Sequence, residues 1–270
     1  MKIGNREFDL KNNCYIMGIL NVTPDSFSDG GQWNDLERAK SHVAQMIEEG
    51  ADVIDIGGES TRPGHRQISV SEEIARVVPY IEMVKENFNA PVSIDSYKSE
   101  VVEAALKAGA DMVNDIWGLK YDRRVAELIA EYKVPCCLMH NRENAEYGDF
   151  MQEMLFDLYE SLAIASDAGI EEWQIMLDPG VGFGKTYEHN LIAVNNLEKL
   201  CDMGYPVLLA TSRKSVIGTA LDLPTDQRVE GTLVTTVMGV LKGASFVRVH
   251  DVKENARAIR MTRAIINEGK

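Results

Sequence analysis

Val53-Ile54-Asp55-Ile56-Gly57-Gly58-Glu59-Ser60-Thr61-Arg62-Pro63-Gly64 opens as a mostly apolar, β-branched run and ends in glycines and polar side chains. The run from Val53 to Ile56 has the composition of a strand buried on both faces, and its tail reads as a loop carrying groups able to act on a ligand. Seven further runs repeat the design: Tyr15 to Leu20, Val92 to Ile94, Met112 to Val113, Pro135 to Met139, Ile175 to Leu177, Val207 to Ala210 and Phe246 to Val249. After them come Asn21, Asp95, Asn114, His140, Asp178, Arg213 with Lys214, and His250. Chemistry gathered at the end of every strand is the pattern of an α/β (β/α)8 TIM barrel, whose βα loops build one site from many strands. An open doubly wound sheet also alternates strands and helices, but it concentrates ligand groups at one switch point.

Helical patterns fall between the runs. Asn34 to Gly50 places Leu36, Ala39, Val43, Met46 and Ile47 on one face, and Gly50 can end it in a left-handed cap. Ser99 to Gly109 repeats the arrangement, and Ser71 to Asn87, Arg123 to Tyr132, Phe150 to Gly169, His189 to Gly204, Arg228 to Gly243 and Val252 to Asn267 continue it. Residues 1 to 13 are expected to form a hairpin or cover over the barrel floor, as a short N-terminal extension. A chain of 270 residues without linker, repeat or low-complexity tract is expected to be one domain, 1–270.

The formal net charge of −14 argues against nucleic acid or an anionic membrane as partner, because both need a basic surface. No stretch approaches a membrane span and no signal-peptide pattern opens the chain, so a cytoplasmic location is expected. Cys14, Cys136, Cys137 and Cys201 lack metal-ligand spacing and are expected to be reduced, largely buried thiols. An anionic ligand must then be captured by local groups against the overall field. Arg62, Lys214, Arg248 and His250 are the candidates, with room for a divalent metal.

Asp95, Asn114 and Asp178 follow buried-type strands and are expected in the barrel mouth. A carboxylate accepts two parallel N–H bonds and so matches the amino–imino edge of a pterin or guanine-like ring; internal salt bridges or helix caps are the plainer alternative. Asp178-Pro179-Gly180-Val181-Gly182-Phe183-Gly184-Lys185-Thr186 ends like a phosphate loop but has Pro179 where that loop needs glycine. Its glycines would let the backbone pass close to a flat ligand, with Phe183 packing on it. Lys214 is read as a charged donor, a Schiff-base lysine being the rival. Arg248 and His250, two apart on the last strand, share a side and suit a phosphate or pyrophosphate group. The loops Asn21 to Gly31 and Gly57 to Gly64 read as lids over substrate.

Met17-Gly18-Ile19-Leu20-Asn21-Val22-Thr23-Pro24-Asp25-Ser26-Phe27, with Asp55-Ile56-Gly57-Gly58-Glu59-Ser60-Thr61-Arg62-Pro63-Gly64, resembles the dihydropteroate synthase family. The likeness continues through Ser93-Ile94-Asp95, Asn114-Asp115-Ile116, Met139-His140, Leu177-Asp178-Pro179-Gly180, Ser212-Arg213-Lys214-Ser215 and Arg248-Val249-His250, in order along essentially the whole chain. It implies condensation of 6-hydroxymethyl-7,8-dihydropterin pyrophosphate with p-aminobenzoate to give 7,8-dihydropteroate and pyrophosphate in folate biosynthesis. It further implies that Asp95, Asn114, Asp178 and Lys214 hold the pterin. Asn21, Thr61, Arg62, Arg248 and His250 would hold the pyrophosphate, with Asn21 near Mg2+. Phe27, Pro63, Phe183, Lys214 and Ser215 would shape the p-aminobenzoate pocket.

Asp95, Lys214 and Arg62 are the groups expected to act on the reaction itself. A leaving polyanion and an electron-rich dihydropterin favour a dissociative, SN1-like substitution with no dedicated nucleophilic side chain. The resemblance also implies a homodimer and sulfonamide inhibition. Ala210 stands where relatives often carry glycine, for which slight repacking is expected. A pterin-binding methyltransferase domain and a non-catalytic pterin-binding homologue are the rival functions; the former has no use for a pyrophosphate clamp.

Overall fold

A computed structural model of the chain describes residues 1–23, 31–60 and 67–269. An antiparallel hairpin of β1 (Lys2–Ile3) and β2 (Arg6–Glu7) precedes the main sheet. That sheet contains β3 (Tyr15–Asn21), β4 (Val53–Gly57), β5 (Val92–Asp95), β6 (Met112–Asp115), β7 (Cys136–Met139), β8 (Ile175–Asp178), β9 (Leu208–Leu209) and β10 (Phe246–Val249). Its eight strands are parallel, in the order β8-β7-β6-β5-β4-β3-β10-β9. The ring closes where Leu177 bridges Val207 and the Leu177 N–H donates to the Pro206 carbonyl at 2.9 Å. The fold is the expected (β/α)8 TIM barrel.

β9 is shorter than the run Val207 to Ala210. Pro206 offers no N–H to lengthen the ladder, and the Lys214 N–H already turns back to the Thr211 carbonyl at 3.1 Å.

The helices are α1 (Gly31–Glu49), α2 (Val70–Asn87), α3 (Ser99–Lys107), α4 (Arg124–Tyr132), α5 (Phe150–Asp167), α6 (Tyr187–Asn195), α7 (Leu197–Cys201), α8 (Ser215–Leu221), α9 (Val229–Leu241) and α10 (Val252–Ile266). Gly50 follows α1 with φ +111°, the left-handed exit expected there. Three expectations need correction. The helix expected from His189 to Gly204 is two helices, because Thr186 caps α6 and Asn196, at φ −118° and ψ 29°, interrupts the ladder. α2 starts before Ser71, since Ser69 is its cap and accepts the Glu72 N–H at 3.2 Å. The short α8 has no counterpart among the expected helices; β-branched residues and Gly218 in so short a segment conceal a helical period.

Ile3 and Phe8 from the N-terminal segment pack against Met17, Val53, Met112, Cys137, Met176, Leu208 and Phe246 inside the barrel. The hairpin therefore covers the floor, and the lower interior is apolar. A larger apolar cluster joins the outer strand faces to the helices. All four cysteines are free; Cys14, Cys136 and Cys137 are buried, and burial raises their thiols well above the ordinary range. Among the described residues no helix is long and apolar enough to cross a membrane. With the floor sealed, the polar interior side chains gather toward the carboxyl ends of the strands.

Candidate active site

The parallel register sets the site. Asp95 pairs with Asn114, so neighbouring strands present these two side chains at one height, with Gly57 of β4 paired beside Asp95. Asp55 lies two residues deeper on β4 and Arg248 points in from β10. The Arg248 guanidinium spans them: Nε donates to Asp55 Oδ2 at 2.6 Å and Nη2 to Asp95 Oδ2 at 2.7 Å. Asn114 Nδ2 donates to the same Asp55 oxygen at 3.3 Å. The second carboxylate oxygens, Asp55 Oδ1 and Asp95 Oδ1, and the Ser93 hydroxyl are buried with no hydrogen-bond partner. Buried acceptors without donors are costly unless a ligand N–H or water supplies them.

Burial pushes the Asp95 carboxyl up to about 7, against the Arg248 cation and with the Asp55 charge adding to the rise. Burial alone would lower Arg248, but Asp55 and Asp95 hold it above its ordinary value.

Asp178 ends β8. Burial raises its carboxyl, while Lys214 and the Gly180 N–H, which donates to Asp178 Oδ1 at 2.6 Å, oppose the rise. Gly180 takes φ +65°, and a Cβ there would lie 1.9 Å from the His140 carbonyl oxygen, so only glycine makes this turn. Lys214 caps α8 and sends Nζ to the Val181 carbonyl at 2.5 Å, 4.8 Å from the centre of the Phe183 ring. Phe183 joins Tyr97, Ile116, Trp117 and Met139 in an apolar patch at the rim. Among the described residues the mouth thus offers carboxylate acceptors, the Asn114 amide, the Lys214 and Arg248 cations and an apolar wall, a set suited to a flat nitrogen-rich ring.

Burial pushes Lys214 down to about 8, Arg248 adds to the fall, and Asp178 opposes it. The unfolded chain, with the ordinary lysine value of 10.5, binds more protons between those two values, so this group's contribution to stability grows as pH rises there. Turnover should behave oppositely. Activity is expected to fall as pH rises through about 8 and the ammonium is lost. A pH–rate profile checks this; a limb unmoved by Lys214→Arg would remove Lys214 from it.

Thr61, Arg62, Pro63 and Phe27 lie outside the described residues. Asn21 ends β3 beside Gly57, partly exposed, and Ser215 opens α8 at the surface. The His250 N–H donates to Ser212 Oγ at 3.1 Å, and its Nδ1 lies 3.0 Å from the same oxygen. Arg213 pairs with Asp251, Nε to Oδ2 at 3.0 Å, so the second cation acting on Lys214 is Arg248 and not its chain neighbour. Arg248 bonds carboxylates, which makes the groups expected on pterin and on pyrophosphate one ion cluster. His140 belongs to a different cluster, on Asp157 and Lys185. Asp55 had no assigned role; its signal was a charge inside an apolar run, which burial obliges to be paired.

The fold and this mouth define a pterin-binding barrel enzyme: the family model described as "Pterin binding enzyme" matches residues 17–250. The dihydropteroate synthase of Clostridium beijerinckii is 59% identical over 267 residues, covering 98% of this chain and 99% of that one. A Clostridium difficile dihydropteroate synthase structure with pteroic acid superposes with a TM-score of 0.94 at 50% identity, covering 96% and 99% of the two chains. A Xanthomonas albilineans dihydropteroate synthase structure with 4-aminobenzoic acid gives a TM-score of 0.90 at 40% identity, covering 94% of each. The chain belongs to the dihydropteroate synthase family, transferases of folate biosynthesis.

Proposed function

We propose that the chain joins 6-hydroxymethyl-7,8-dihydropterin pyrophosphate to p-aminobenzoate, releasing pyrophosphate, in a single barrel domain. The observation that carries this is the pair of unpartnered carboxylate oxygens beside Asn114, with Asp178 and Lys214 across the mouth. Asp178 accepts from the amino–imino edge of the pterin, Asn114 serves a neighbouring donor and acceptor, and Lys214 donates to a ring acceptor. Asp95 sits where its negative charge favours a cationic exocyclic carbon. Asn21, Thr61, Arg62, Arg248 and His250 receive the pyrophosphate, Arg248 exchanging part of its carboxylate pairing for phosphate. Phe27, Pro63, Phe183, Lys214 and Ser215 form the p-aminobenzoate pocket.

The bond from the exocyclic carbon to the pyrophosphate oxygen breaks with its electron pair leaving on oxygen. The aromatic amine then forms the carbon–nitrogen bond and gives up a proton to solvent or phosphate. Arg62, Lys214 and Arg248 act where charge develops, so no side chain becomes covalently attached.

The donor set fits Mg2+ of the kind that keeps most of its water. Asn21 offers one side-chain oxygen, and no cluster of three or more histidine, cysteine or acidic groups among the described residues makes a protein cage. When bound by Asn21 and phosphate oxygens, the ion would supply positive charge to the leaving group.

A groove of about 570 Å³ between α6, α8 and α9, lined by Leu191, Ile192, Ile217, Leu221, Val234 and Met238, supports a homodimer. Val234 is 60% exposed and Leu221 47%, an apolar face that a second copy would cover; sedimentation of Val234→Glu as a dimer would count against it. The net charge of −14 supports small-molecule substrates over nucleic acid or an anionic membrane, and a cytoplasmic location is part of the same reading.

Labelled p-aminobenzoate, pterin pyrophosphate and Mg2+ are expected to give labelled dihydropteroate, with sulfonamide competing against p-aminobenzoate. Undiminished turnover at saturating sulfonamide, or no product at all, would refute the assignment. Positional isotope exchange within the pyrophosphate without p-aminobenzoate is expected; its absence at normal turnover would remove the dissociative step.

A further inference from the structure

Behind Phe183 runs a polar chain that none of these roles uses. Lys185 Nζ lies 2.7 Å from His140 Nδ1, 3.0 Å from the Phe183 carbonyl and 3.4 Å from the His140 carbonyl. The wholly buried His140 ring meets Asp157 Oδ2 through Nε2 at 2.9 Å. Arg142 closes on the same carboxylate, with Nε at 2.6 Å and Nη2 at 3.1 Å.

In its ammonium form Lys185 has three donors and no acceptor, so that form donates to Nδ1 and leaves the ring proton on Nε2 for Asp157. The hydrogen bonds therefore run one way, from Lys185 through His140 to Asp157. Electrostatics agree: burial pushes His140 down to about 4, with Lys185 adding to the fall, so the ring is neutral at pH 7. Asp157 is held below its ordinary value by His140 and Arg142, although burial alone would raise it.

The cost of this arrangement locates its use. A buried ammonium whose three near acceptors are all uncharged is expensive, and burial pushes Lys185 down to about 7, against the Asp178 charge. What the expense secures is the turn from Asp178 to Gly184. Lys185 binds the Phe183 carbonyl within it and the His140 carbonyl just past β7, and the Phe183 N–H closes the turn onto the Gly180 carbonyl at 3.1 Å. A second tether joins the turn's far end to the same support. Tyr147 donates to the Gly184 carbonyl at 2.7 Å, and the Arg142 guanidinium lies 4.4 Å over the Tyr147 ring.

Resting on the synthase reaction above, we propose that Lys185 is a positioning residue for the amine substrate. Through His140 and Asp157 it anchors the 178–184 turn to α5 and so holds the Phe183 ring beside Lys214, as the wall against which p-aminobenzoate binds. The groups facing this chain are Asp157 and Glu153 from α5, Arg142 and Tyr147 from the β7–α5 loop, Lys120 from the β6–α4 loop, Asp178 from β8 and Lys214 from the head of α8.

The test uses the full chain with Lys185→Met, His140→Leu and the double variant. Each single change is expected to raise KM for p-aminobenzoate about tenfold or more, with kcat and KM for pterin pyrophosphate within about threefold. The double variant should be no worse than the worse single one, because the two residues act as one unit. Equal rises in both KM values, a fall in kcat alone, or effects that multiply in the double variant would overturn the proposal.

Amide hydrogen exchange supplies a readout independent of turnover. Residues 180–184 should exchange faster in Lys185→Met while β3 to β6 stay unchanged, and unaltered exchange there would overturn the anchor. A wild-type chain that makes no dihydropteroate would refute the reaction instead, and the exchange measurement would still decide the anchor. If Lys185→Met fails to fold, His140→Leu carries both measurements alone.

Discussion

Arg248→Met is expected to cost about 3–5 kcal/mol of stability, because removing one partner of a buried ion cluster strands the others. Asp55 is fully buried and Asp95 is 9% exposed, and each gives one oxygen to the guanidinium at 2.6 and 2.7 Å. Methionine keeps much of the side-chain volume, so the loss is one of charge and not of packing. Both carboxylates then lose their shared donor and are left buried without a cation. For a chain of this size the change corresponds to a fall in Tm of roughly 6–20 °C.

The dependence on pH has a definite sign. Without the guanidinium the Asp95 carboxyl rises above about 7, since Arg248 is the largest influence opposing its burial, with Lys214 the lesser, so the variant should lose more stability at pH 8 than at pH 5. Adding Asp55→Asn and Asp95→Asn to the variant should restore part of the loss. Thermal unfolding at the two pH values checks this. A Tm within about 2 °C of the parent at pH 8 would mean that the cluster does not hold the barrel mouth together.

The barrel was legible because its period is carried by eight separate runs, each bounded by glycine or polar residues. A closed sheet constrains all of them together, so an error at one end of a strand changes little. Boundaries were less legible where local chemistry competes with pattern. Asn196 breaks what reads as one helix, and α8 is too short to show its period.

The candidate site divided in a similar way. Asp95, Asn114 and Asp178 could be placed in the mouth because position at a strand end is a property of sequence order. Their partners could not, since Arg248 reaches Asp55 across 193 residues of chain and no local pattern encodes that pairing. The Lys98 cluster was missed for the same reason. Its Nζ binds Glu59 and Glu73 at 2.7 Å each and the Ile68 carbonyl at 2.9 Å, joining parts of three segments that read separately as loop and helix. His140 shows the converse. It follows a strand as the mouth residues do, but its ring turns to α5, because a buried imidazole goes where donors and acceptors can satisfy both nitrogens.

Asp178→Ala should reduce formation of dihydropteroate by about 10²–10⁴-fold, the equivalent of two charge-assisted hydrogen bonds at about 1.5–3 kcal/mol each. The carboxylate is the only ionised acceptor set among the turn residues from 178 to 184. A ligand that has given up its hydration finds no substitute there. Asp178→Asn separates charge from shape. It can still accept the Gly180 N–H, now made at 2.6 Å to Oδ1, but it turns an N–H₂ toward the ligand's own donors, so turnover should stay low while the turn survives.

A second consequence concerns Lys214. Asp178 is the leading influence holding its ammonium against burial, so either variant should move the alkaline limb of the residual activity below about 8. Sensitivity to pH and loss of turnover would then arise from one side chain. Turnover within tenfold of the parent, or a limb that does not move, would separate Asp178 from the pterin grip and leave its buried charge a matter of turn geometry alone.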